Sequence, residues 1–175
     1  AVGIGVGITK DGKAEASTLS DATSYSKAGT TAITSGAGDD KIINVQGTEI
    51  TAQADSTATG VAVSLSVSGS AKGGVSGTAL SKSGSVAEGY ATGIDAGYGD
   101  DLIVNEAGKI LAKSDSQSTT VAVGIGVEVT KDGSAEASTL SDATSYSKAD
   151  STAITSGAGD DKIINVQGTE VTAQA

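Results

Sequence analysis

The sequence predicts an all-β fold, a β-solenoid or parallel β-helix-like stack of repeats of about 60 residues. Three observations predict it. The chain repeats itself, with Gly36, Gly97 and Gly157 marking the same point at spacings of 61 and 60 residues. Apolar residues alternate with polar or small ones at period two, the mark of β-strands, and no segment carries a helical period. The composition lacks Phe, Trp, Met and Cys and holds only 4 Tyr. A lone bead of about 60 such residues would bury too little surface to stand alone, whereas stacked repeats share their burial. Tandem antiparallel sandwiches, or a meander of the same strands, are the alternative.

The repeat units are residues 1–61, 62–121 and 122–175, the last incomplete. Units one and three agree at 48 of 54 positions, differing at positions 7, 8, 13, 29, 30 and 50 of the first, while unit two diverges. The longer period is therefore an A–B pair of 121 residues. The chain begins and ends inside a repeat, which predicts a window of a longer protein.

Each unit opens on a strand. In "AVGIGVGIT" the residues Val2, Ile4, Val6 and Ile8 share one face and Gly3, Gly5 and Gly7 the other; unit two sets Val63, Leu65 and Val67 against serines. The glycine row predicts either close approach by another sheet or subunit, or a weakly selected outer face. "KDGK", "VQGTE" and "SAKGG" are turns. In "TEITAQADSTATGVAVSLSVSG" the residues Ile50, Ala52, Ala54, Ser56 and Ala58 share one parity, and Val61, Val63, Leu65 and Val67 the other. This switch predicts a bulge or corner at Thr59–Gly60. Stacking in register would place Asn44, Asn105 and Asn165 in an amide ladder. It also aligns Gly47, Gly108 and Gly168, Leu19, Leu80 and Leu140, and Ile33, Ile94 and Ile154 in columns.

Eleven lysines against 21 acidic residues give a net charge of −10, which argues against nucleic acid as a partner because phosphates need a basic face. The absence of cysteine excludes disulfides and thiolate metal sites and is compatible with secretion. "AVGIGVGITK" has neither the basic flank of a signal peptide nor a long apolar run, so no membrane span is expected. Without His or Cys the common nucleophile and base pairings are unavailable, and an enzyme is not expected. The many Ser and Thr hydroxyls suit a solvated β-surface better than the regular Thr ranks of an ice-binding face.

The stretch "SGAGDDKIINVQG" from Ser35 recurs as "AGYGDDLIVNEAG" from Ala96 and identically from Ser156. Within it, Ser35 to Ile43, Ala96 to Val104 and Ser156 to Ile164 resemble the calcium-binding nonapeptide of RTX (hemolysin-type) proteins, G-G-x-G-x-D-x-U-x, with Ser or Ala at the first glycine. The match covers nine residues in about sixty. RTX rolls carry their nonapeptides in tandem; here each unit carries one copy. Together with the Ala/Thr/Ser-rich alternating strands, the chain looks like bacterial cell-surface β-strand repeat proteins. The resemblance implies Asp40, Asp101 and Asp161 as carboxylate ligands of Ca²⁺.

Physical reasoning gives a second route to the same cation. In-register stacking would line up Asp39–Asp40, Asp100–Asp101 and Asp160–Asp161 at one strand spacing, where like charges repel by roughly 1 kcal/mol per pair in water. A hard cation such as Ca²⁺, with oxygen ligands, would relieve this. The competing reading is that the glycines supply positive φ for a corner while the aspartates cap exposed amides.

The expected role is a structural segment of a secreted or cell-surface protein, forming a rod, stalk, sheath or filament, with copies of itself as partners through head-to-tail or lateral association. The alternative is a calcium-dependent adhesin module that contacts glycans or other cells.

Overall fold

The computed structural model describes all 175 residues and contains strands and turns without a helix. Each coil runs through a long strand, a second long strand and a short one. They are β1 (Val2–Asp11), β2 (Ala14–Thr34), β3 (Lys41–Asn44), β4 (Glu49–Lys72), β5 (Val75–Asp95), β6 (Leu102–Asn105), β7 (Lys109–Asp132), β8 (Ala135–Thr155), β9 (Lys162–Asn165) and β10 (Glu170–Gln174). Equivalent strands pair into three sheets, ordered β1-β4-β7-β10, β2-β5-β8 and β3-β6-β9. Val2 pairs with Val63, Asn44 with Asn105 and Asn105 with Asn165, all in parallel. Offsets of 61 and then 60 residues are thus the register itself, and the fold is the parallel β-solenoid rather than antiparallel sandwiches or a meander.

The chain clusters into two compact units, each assembled from three stretches one coil apart. Unit 1 comprises residues 1–25, 58–86 and 118–146; unit 2 comprises 26–57, 87–117 and 147–175. Unit 2 has a hydrophobic core. Ile94, Ile103 and Ile110 are essentially fully buried beside Ala96, with Ile33, Ile42, Ile50 and Ile154 packed around them. Each buried isoleucine removes enough apolar surface from water to contribute about 2 kcal/mol. A second cluster of Ala52, Ala54, Ala91 and Ala112 is thin because no larger side chain is present.

Unit 1 is built the other way round. Its interior is lined by small residues: Ser64, Ser66, Ser68, Ser81, Ser83 and Ser85 are buried together with Ala62 and Ala79. The hydroxyls join the sheets. Ser64 Oγ and Ser81 Oγ lie 2.8 Å apart, Ser66 Oγ donates to Ala16 O at 2.8 Å, and Ser68 Oγ donates to Ser76 O at 2.8 Å. These bonds satisfy most of the buried hydroxyls; Ser83 Oγ is buried without a partner. The β-branched residues of β1 face outward: Val2, Ile4, Val6 and Ile8 are 63–78% exposed, whereas Val75 at the start of β5 is buried.

This arrangement decides the glycine row. A Cβ on Gly5 would lie 2.8 Å from Thr18 Cγ2 and 3.1 Å from Ser17 O, and one on Gly7 would collide with Glu15 O. Gly3, Gly5 and Gly7 therefore face β2, and close approach by a neighbouring sheet is the reason for them. The Leu19 and Leu140 side chains of the leucine column point outward, 66% and 61% exposed.

The bulge or corner expected at Thr59–Gly60 is absent. β4 runs unbroken from Glu49 to Lys72, with Ala52, Ala54, Ser56, Ala58, Gly60, Ala62, Ser64 and Ser66 all inward. The backbone parity never changes; the chemistry of the two faces exchanges, apolar residues moving from inside at Ile50–Ala58 to outside from Val61 onward. Alternation breaks instead in β5, where Gly93 and Ile94 are both buried. A Cβ on Gly93 would lie 2.8 Å from Ile110 Cγ2 and strike Ala153 O, so only glycine fits where the alternation breaks.

Candidate functional site: the aspartate corner

The corner that follows each second long strand is made by glycine. Gly36, Gly38, Gly97, Gly99, Gly157 and Gly159 all have positive φ, between 86° and 145°. A Cβ on Gly97 would also strike Gly36 O of the preceding coil, so the turn conformation and tight stacking require the same residue. Between the glycines, Ala37, Tyr98 and Ala158 bridge in parallel from coil to coil.

The two aspartates of each corner form two columns with opposite hydrogen-bond directions. In the outer column the amide of Asp100 donates to Asp39 Oδ1 at 3.0 Å, and that of Asp160 to Asp100 Oδ1 at 2.8 Å. In the inner column the amide of Asp40 donates to Asp101 Oδ1 at 2.8 Å, and that of Asp101 to Asp161 Oδ1 at 2.9 Å. Outer carboxylates thus bind the coil after them and inner ones the coil before. Bonds from N–H to an ionised acceptor are the stronger kind, and here they fasten one coil to the next.

The second oxygens are used differently. Asp40 Oδ2 and Asp101 Oδ2 are shielded from solvent without a hydrogen-bond partner, and Asp101 as a residue is only 2% exposed. These orphaned oxygens are what a hard cation would find. Yet no group of three or more Asp, Glu, His or Cys converges into a metal cage anywhere in the chain. A cation at the corner would hold Asp40 and Asp101 through Oδ2 and draw its remaining ligands from backbone carbonyls or water. The outer Asp39, Asp100 and Asp160 are in solvent.

Beyond the corner, Asn44 Nδ2 donates to Asn105 Oδ1 at 2.7 Å in a buried rung. Asn105 Nδ2 has no partner, so the amide ladder is hydrogen-bonded between the first two coils. Thr48 Oγ1 closes the turn, with its single proton within hydrogen-bond reach of Asn44 Oδ1 and, at 2.6 Å, of Val45 O.

Sequence reading did not single out Tyr90. The Lys27 ammonium sits 5.0 Å from the centre of its ring and the Lys148 ammonium 5.1 Å, one from each neighbouring coil. The same offsets place Glu88 between Lys27 and Lys148. Asp150, hydrogen-bonded to Lys148 at 2.8 Å, raises that ammonium above the ordinary lysine range, and the Tyr90 phenol oxygen adds to the effect. Coils one and three thus bring lysines in register with Glu88 and over the ring of Tyr90. The signal was in the sequence as the divergence of unit two, but only register shows which residues meet.

Two open grooves lie elsewhere. One, of about 220 Å³, is lined by residues including Lys13, Glu15 and Glu136 in unit 1; the other, of about 400 Å³, by Asp55, Thr57, Asp115 and Gln117 in unit 2. In the second, Asp115 is paired with Lys113 at 2.8 Å and Asp55 accepts from Gln53 at 2.8 Å. No helix is long and apolar enough to cross a membrane.

No protein family, curated protein or solved structure matches this chain.

Proposed function

We propose that this chain is a structural segment of a secreted or cell-surface repeat protein of bacterial type, serving as a rod, stalk, sheath or extracellular filament. The observation that carries this reading is where the repeated polar groups are directed. The aspartates of the corner and the first asparagine rung bond to the equivalent residues of the next coil, not into a cleft. A part repeated to hold coils together is a mechanical part. Ca²⁺ at the orphaned oxygens of Asp40 and Asp101 would stiffen the same joint, as the RTX-like motif implies.

Electron microscopy of the chain with and without Ca²⁺ tests the structural role. Elongated particles or filaments are expected, and isolated round particles in both conditions would reject it. Calorimetric titration tests the cation separately: heat of Ca²⁺ binding and a lower melting temperature on chelation are expected, and no change in either would remove calcium from the account.

An adhesin module that contacts glycans or other cells is the second reading. It is favoured by Tyr98, 70% exposed beside the acidic column, since an aromatic ring next to carboxylates offers a flat apolar surface with polar neighbours. Retention of the chain on a glycan array, lost in Tyr98→Ala, would favour that reading over the first.

A further inference from the structure

We infer that the outer face of the β1-β4-β7 sheet in unit 1 is an interface through which two copies of this chain pack face to face. The inference rests on the structural reading above and deepens it by naming the surface of lateral association.

The face is apolar by construction. Its central rungs are Ile4–Leu65–Ile125 and Val6–Val67–Val127; Ile4 pairs with Leu65 and Val6 with Val67 in register. Ile4 and Val6 are 68% and 63% exposed, Ile125 and Val127 45% and 43%. A soluble strand pair ordinarily turns its β-branched residues inward and its serines outward. The β1-β4-β7 sheet of unit 1 turns Val, Ile and Leu outward in all three coils, with glycines inward in β1, serines in β4, and Gly124, Gly126 and Glu128 in β7.

Charge is kept off this surface. Between Val2 and Thr9, and between Val61 and Ser70, the sequence has no charged residue. Glu128 is the one charge in the matching stretch of β7, and it replaces a glycine of the inward row. Its Oε1 is shielded from solvent inside unit 1, a costly placement for a carboxylate that leaves the outer face uncharged. Charges resume at the strand ends, at Lys10, Lys72 and Lys131. An uncharged apolar centre with a charged margin is the anatomy of a protein interface.

Its size fits a second copy. With Val2, Ile4, Val6 and Ile8 63–78% exposed and Val121, Val123, Ile125, Val127 and Val129 38–64% exposed, the outward apolar residues expose on the order of 900 Å², against about 800 Å² per partner in a standard interface and 300–600 Å² for the largest patch on a typical monomer. The shape fits as well. Rows of branched side chains at strand spacing present ridges and grooves that an identical lattice can fill, as in dry interfaces between paired sheets. A lipid surface would instead favour interfacial Trp or Tyr, and this face has neither.

Sedimentation velocity of the 175-residue chain from about 1 to 100 µM tests the proposal. The unchanged chain is expected to form a dimer or higher lateral assembly. The triple variant Ile4→Lys, Leu65→Lys, Ile125→Lys should weaken association at least about 100-fold. Val6→Thr with Val67→Thr and Val127→Thr, which keeps β-branched shape and strand propensity, should weaken it about 10-fold. Both should retain the β circular dichroism of the parent. A chain that stays monomeric at the highest concentration, or a lysine variant that assembles as well as the parent, overturns the interface. So does a monomer that co-sediments with neutral phosphatidylcholine vesicles, which would assign the face to lipid. If the lysine variant still gives elongated particles in micrographs while lateral pairing proves absent in the parent, this inference fails and the structural reading stands; if the parent gives neither, both fail.

Discussion

Individual residues in this chain are chosen for what the adjacent coil presents. Asp101 accepts the Asp40 amide while its own amide donates to Asp161. Asp101→Ala would leave a part-buried N–H unpaired, and urea denaturation should register a loss of about 1–3 kcal/mol. Asp101→Asn keeps an acceptor oxygen, so it should lose less than about 1 kcal/mol. Equal losses would show that the hydrogen bond is not the cause. Ala107 is the only non-glycine residue with positive φ, at 53°, a conformation that costs an L-residue with a Cβ roughly 1–2 kcal/mol. Ala107→Gly should therefore raise the stability by about 0.5–1 kcal/mol after glycine's greater unfolded-state entropy is deducted, visible as a higher melting temperature. The candidate site was legible at this scale as a motif: glycine spacing marked the corner and register marked the aspartate columns. Hydrogen-bond direction was not legible, because amides and carboxylates one coil apart can meet either way until the backbone fixes which is ahead.

Strands and turns were largely readable, and the exceptions are instructive. Period two found the long strands, and "KDGK", "VQGTE" and "SAKGG" all fall where strands end. The exchange of apolar face along β4 imitated a register shift, because sequence shows chemistry by parity and not which parity is inside. Glycines separate the two cases by experiment. Gly5→Val forces a side chain against Thr18 and Ser17 and should cost at least about 2 kcal/mol through overpacking. Gly29, in β2, has no atom within 4 Å of an added Cβ and a φ outside the left-handed range. Gly29→Ala should be neutral or stabilise by up to about 1 kcal/mol. Thermal melts should show a clear loss for Gly5→Val and none for Gly29→Ala; a tolerated Gly5→Val would mean that the sheets of unit 1 are not held close.

For the molecule as a whole, the A–B–A alternation is a device for pairing unlike coils. Lys27 and Lys148 flank Glu88 and Tyr90, so Glu88→Lys would put three ammonium groups in one column. It should destabilise the chain by about 1 kcal/mol at low salt and by distinctly less at 1 M salt, where screening is short-ranged. A salt-independent loss would point to packing instead. By itself the sequence determined the all-β class, the coil length, the in-register columns and the glycine corner. These follow from periodicity and from backbone rules that hold whatever the surroundings. Only the tertiary structure decided that the β1-β4 sheet of unit 1 turns serine and glycine inward and valine and isoleucine outward. An alternating strand is symmetric between its faces; the choice is made by the distance between two sheets, and here β1 lies so close to β2 that only residues without bulk fit between them.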